Sequence, residues 1–80
     1  MTNAARVAEI GIQLYGDAWC APVAILTGVR RRTVQRIRVS AIEGEENDAA
    51  HGVLAAVMER LREIVLRQDG GYGGATRLQP

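Results

Sequence analysis

Five of the chain's ten basic residues, all ten of them arginine, lie between Arg30 and Arg38, and no acid interrupts them. In the segment Thr27-Gly28-Val29-Arg30-Arg31-Arg32-Thr33-Val34-Gln35-Arg36-Ile37-Arg38-Val39, the apolar residues Val34 and Ile37 are three apart. That spacing predicts a short helix with one buried edge. At about 100° per residue, Arg31, Arg32, Gln35 and Arg36 then share the outward arc. Guanidinium groups there can form paired hydrogen bonds with phosphate, or with O6 and N7 of guanine, and Gln35 has the geometry for N6 and N7 of adenine. Three arginines in or beside the first turn also oppose the helix dipole, which favours negative charge at that end. Such a conflict calls for an anionic partner outside the chain, and DNA phosphate is the first candidate.

The elements that would position this face are legible upstream. Thr2 or Asn3 can cap a first helix running to about Tyr15, with Val7, Ile10 and Leu14 on one side. Gly16 and Asp17 interrupt it. A second helix is expected from Cys20 or Ala21 to Thr27, with Pro22 at an early position where its missing N–H costs nothing. Gly28 can then turn the chain with positive φ.

The arginine helix is expected to end near Val39, and Ser40 to Asn47 reads as a polar loop around Gly44. Asn47 or Asp48 can cap a long fourth helix from about Ala49 to Gln68. Val53, Leu54, Val57, Met58, Leu61, Ile64 and Val65 give it a continuous apolar stripe. Such a helix exceeds what three short helices can cover. Val57, Met58, Leu61, Ile64 and Val65 are therefore expected to form a dimer interface. The Gly70-Gly71-Tyr72-Gly73-Gly74 stretch reads as a flexible tail over 69–80, leaving 1–68 as a single domain with its core and dimerisation helix at 48–68.

Composition agrees with an all-α fold. Hydrophobic residues make up 48% of the 80 and aromatics only 4%, with no Phe. That suits an aliphatic helical core better than strands, which favour β-branched and aromatic residues. Net charge is only +1, so the charge's distribution matters more than its total: Glu43, Glu45, Glu46 and Asp48 follow the basic run directly. One cysteine, Cys20, and one histidine, His51, offer neither a disulfide nor a metal-binding set. Neither a membrane span nor a secretion pattern is evident, and a reducing cytoplasm is the simplest compartment. The glycine pairs near the end lack the strand, helix and Lys-Ser/Thr of a phosphate loop. No pairing of acids, Ser, His or Cys suggests catalysis, so no enzyme, cofactor or metal is expected.

Residues 20–39 have the spacing of a helix-turn-helix: Ala24 at the helix crossing, Gly28 and Val29 in the turn, Val34 and Ile37 docking the second helix. With Leu14-Tyr15-Gly16 and Trp19 upstream, and Arg32-Thr33-Val34-Gln35-Arg36 downstream, the chain resembles small phage- and prophage-type repressors of the Cro/C1 class. The resemblance spans about Val7 to Val39 and holds beyond that only in outline. It implies a compact helical domain that binds double-stranded DNA, whose second motif helix enters the major groove. A homodimer on an inverted-repeat operator, repressing its own promoter, would be the arrangement. Regulators linked to anti-CRISPR operons share this size and motif class. Carried over by position, Arg31, Arg32, Gln35 and Arg36 would approach base edges, while Arg30, Arg38 and the helix start near Ala21 would approach phosphates. Thr33 would either touch phosphate or support the helix. Three departures stand out: relatives commonly have Ser at the position of Arg30, Trp near Ile37, and an apolar residue near Thr27.

Other readings of the same residues remain. The arginines can be a solvated surface. The fourth helix can hold a partner protein, making the chain an inhibitor or adaptor. RNA binding lacks the aromatic stacking surface that usually accompanies it. Trp19 can donate to phosphate or fill the core between the first two helices, and Tyr15 shares that ambiguity. Cys20 sits near a helix start, where a thiolate would be favoured, or is a small hydrophobe. His51 reads as a surface or interface residue.

Overall fold

In the computed structural model, which describes the backbone of residues 1–75 and the side chains of residues 1–67, the chain is all-α, with four helices in sequence. These are α1 (Asn3–Tyr15), α2 (Cys20–Thr27), α3 (Arg31–Glu43) and α4 (Ala50–Ala75).

Each short helix stops where a glycine takes positive φ: Gly16 after α1, Gly28 after α2 and Gly44 after α3. At Gly28 (φ 73°, ψ 6°) the amide donates to the Ala24 carbonyl at 2.9 Å. This left-handed cap turns the chain without the Cβ penalty another residue would meet. Thr27 locks the same turn. Its hydroxyl donates to the Val23 carbonyl at 2.8 Å and accepts from the Val29 amide at 3.2 Å.

The expected end of α3 near Val39 is four residues short. Ser40, Ala41 and Ile42 contain no breaker, and Ala41 packs against the core, so the helix continues until Gly44 closes it. The following loop shrinks accordingly. Asn47 then starts α4, as its Oδ1 accepts from the Ala49 amide at 2.9 Å and its carbonyl from the Ala50 amide at 3.0 Å. The expected end of α4 at Gln68 is also wrong, because the helix runs through the glycine-rich stretch to Ala75. Glycine costs about 1 kcal/mol relative to alanine in a helix but does not forbid the geometry, and no proline intervenes. The rest of the expected tail, 76–80, lies outside the described residues.

The core takes one or more residues from every helix: Ala4 and Val7 from α1, Val23 from α2, Val34 and Ile37 from α3, and Ala50, Val53, Leu54 and Val57 from α4. Trp19, just before α2, is 2% exposed and joins them, which settles its role as core rather than a phosphate donor. It lies so close to α1 that a Cβ on Gly11 would sit 2.7 Å from the indole ring. Gly11 is thus the space into which the tryptophan fits.

The apolar stripe of α4 divides in two. Its first half is inside the bundle, including Val57, which has no exposed surface and belongs to the subunit's own core rather than to any dimer interface. The second half is covered less completely, and Ile10 of α1 faces it across an open groove. Leu61 and Ile64 are half-buried there, while Met58, Val65 and Leu66 are exposed. At about 39 Å, α4 accounts for most of the molecule's 48 Å long axis against 24 and 20 Å across. None of the described helices is long and apolar enough to cross a membrane.

Candidate nucleic-acid interface

The α2–turn–α3 unit fixes the orientation of the arginines. Val34 and Ile37 are fully buried, so α3 can rotate neither way without exposing one of them. Arg31, Arg32, Gln35 and Arg36 are all exposed as a result, as are Arg30 before the helix and Arg38 within it. Thr33 is half-buried at the edge of that face.

The face has two flanks. Arg36 and Thr33 border a shallow cleft shared with Glu46, Asn47, Asp48 and Ala49. Arg31 and Arg38, seven residues apart and so nearly in line along α3, lie on the side of Cys20 and the start of α2. Both guanidinium groups act electrostatically on the Cys20 thiol there. Arg38 also overhangs a groove between α1 and α3, beside Trp19, Glu9 and Ile42. Arg38 and Arg31 therefore stand nearer α2 than the outward row of Arg32, Gln35 and Arg36.

Despite four acids just downstream, the arginine face is free. Among the described residues the one ion pair is Arg60–Glu63, at 3.4 Å on α4, so none of Arg30, Arg31, Arg32, Arg36 and Arg38 is held by a carboxylate. Nor does a side chain cap the start of α3: Arg30 occupies the cap position with no side-chain hydrogen bond. An arginine-rich helix start without an acid or a cap offers both fixed charge and free N–H groups to an anion.

The acidic loop is engaged elsewhere. Oε1 of Glu46 accepts from the Asn3 amide at 2.9 Å and the Ala4 amide at 3.3 Å, and Oε2 accepts from Asn3 at 3.1 Å. Thr2 Oγ1 takes the Ala5 amide at 3.0 Å. The first three amides of α1, which no helix can satisfy internally, are thereby all paired. Glu46 thus clasps the α3–α4 loop to the start of the chain. Nothing in its local sequence signals this, since the partners are over forty residues apart.

These backbone donors, Asn3 first, hold the Glu46 carboxyl below the ordinary glutamate value of 4.5. A carboxyl with a lowered folded pKa adds stability above that ordinary value and gives it up as pH falls through the folded one. Glu46→Gln is accordingly expected to lower the thermal midpoint at neutral pH and to have little effect at pH well below 4.5. Because the group is fully exposed, added salt should shrink the difference. Equal midpoint losses at acidic and neutral pH would remove the carboxylate from this role.

Cys20 behaves as a thiol. Burial raises its pKa, and the two arginines only partly offset that. His51 is exposed in the first turn of α4.

No protein-family model, curated protein or solved structure matches the chain.

Proposed function

We propose that the chain is a sequence-specific DNA-binding regulator of the phage-repressor type, with α3 as the helix that enters the major groove. The observation that carries this reading is the unpaired guanidinium face of α3, held outward by Val34 and Ile37 and set against α2 by the Gly28 turn. Arg32, Gln35 and Arg36 approach base edges, with Arg31 at their side. Arg30 and Arg38 approach phosphates, Arg38 together with the start of α2, where the helix dipole adds to its charge. Thr33, at the edge of the face, supports the helix or reaches the adjacent phosphate.

A second copy completes the arrangement. A groove lined by Ile10 of α1 and by Met58, Leu61, Arg62, Val65 and Leu66 runs along the second half of α4. Met58, Leu61, Ile64 and Val65 form its contact stripe in a homodimer, and two α3 helices then meet successive major grooves about 34–36 Å apart on an inverted repeat. Occupying a promoter in this way would exclude polymerase. On this basis Leu61→Glu should yield folded monomers, seen by light scattering, that bind a half-site weakly. A dimer indifferent to that change would put the interface elsewhere. The same groove favours a second reading, an adaptor whose α4 holds another protein. That reading gains if the chain stays monomeric and binds no duplex.

The direct test is a titration of the DNA upstream of the chain's own gene, with competitor duplex and a salt series. Affinity should fall with salt at a slope of about −0.9 per phosphate contacted. Replacing a phosphate-contacting arginine such as Arg30 or Arg38 should flatten that slope by about one and weaken all sequences alike. A wild-type chain with no affinity for any duplex at low salt would end the proposal.

A further inference from the structure

Val39 belongs neither to the core nor to the hydrophobic residues packed against it. It lies on α3 with 51% of its surface exposed, seven residues beyond Arg32 and four beyond Gln35. At 100° per residue these three side chains stand within one outward arc of the helix. A β-branched residue at a solvated helix position gives up rotamer freedom and helix propensity, and here burial of half its surface offsets the loss only in part. The neighbouring outward positions are arginine and glutamine, and a further polar residue would serve a solvated face better. Valine there adds an apolar end to a row of hydrogen-bonding groups.

We infer that Val39 is a specificity-determining residue that meets the 5-methyl group of a thymine in the major groove. The inference rests on the duplex-binding reading of α3 and adds a base to what that reading assigns. In the major groove only thymine presents a methyl group, and an apolar side chain distinguishes it from cytosine without a hydrogen bond. Along the helix axis Val39 is about 6 Å from Gln35 and about 10 Å from Arg32. The preferred half-site therefore includes a methyl-bearing pyrimidine near the bases that Gln35 and Arg32 face.

The experiment is selection from a random duplex pool by the wild-type chain and by Val39→Ser, followed by binding to the recovered duplex with its thymines replaced singly by deoxyuridine. At one position, removing the methyl group should weaken the wild type about fourfold, the effect of exposing one buried methyl. Val39→Ser, with its melting curve unchanged, should not register that loss, and its own selection should show no thymine preference there. If both proteins bind the selected duplex and respond equally to deoxyuridine at every position, Val39 reads nothing, although α3 still binds DNA. If Val39→Ser changes the oligomeric state and leaves base preference untouched, the residue belongs to a protein contact and the inference fails. If the wild type recovers no duplex, the parent reading falls and Val39 with it.

Discussion

Trp19→Ala is expected to cost about 3–5 kcal/mol of folding stability, the usual range for emptying a large aromatic site. A domain of this length has about 4–12 kcal/mol in total, at roughly 0.05–0.15 kcal/mol per residue. The loss is therefore a large part of what holds the fold, because Trp19 is the largest buried side chain and bridges α1 to the start of α2. Urea denaturation followed by far-ultraviolet circular dichroism measures it. The reverse defect, Gly11→Ala, places a methyl 2.7 Å from the same ring. It should destabilise by about 1–3 kcal/mol through overpacking, partly offset by about 1 kcal/mol of improved helix propensity. The two sites share one space, so their effects should not add. In a Trp19→Leu background, which should remain folded, Gly11→Ala should become neutral or stabilising. Simple additivity in that cycle would show that the close approach is not what Gly11 provides.

The second large effect concerns the outward face of α3. Under the proposed reading, Arg32→Ala combined with Arg36→Ala should reduce affinity for the preferred duplex by about 2–6 kcal/mol, at 1–3 kcal/mol for each base-reading arginine. That is at least about thirtyfold. Both side chains are exposed and neither is ion-paired, so the thermal midpoint should hardly move. Separation of the two readouts is the informative part. Lost binding with an intact fold, and lost discrimination between preferred and random duplex, would identify base readers. A uniform loss on all sequences with a flatter salt slope would make them phosphate contacts instead. Arg36 is the more exposed to a competing account, because it borders the cleft of Glu46 and Asp48. If Arg36→Ala alone strengthened binding, the acidic loop would be shielding that flank.

Much of this architecture was legible before any coordinates. The cap by Thr2, the stops at Gly16 and Gly28, and the burial of Val34 and Ile37 with the arginines outward all follow from groups within one helical turn of each other. Capping, positive φ and apolar spacing act at that range, so a short stretch of chain settles them. The stretch from Ser40 to Asn47 is polar enough to suggest a loop, yet nothing before Gly44 breaks a helix, so α3 runs on to Glu43.

Other features exist only once distant segments meet. Gly11 looks like a weak point in α1 until the Trp19 ring is laid against it. Glu46 looks like one more loop acid until α1 presents two amides to it. Val57 and Val65 belong to one apolar stripe of α4, yet the first is closed inside the bundle and the second lines an open groove with Ile10, so one is core and the other surface. Helical periodicity assigns a face to each residue, but how closely a neighbouring helix covers that face is decided by packing between elements remote in sequence. That is why the pattern of residues could place the arginine face, and only the assembled fold could divide the long helix into an inside and an outside.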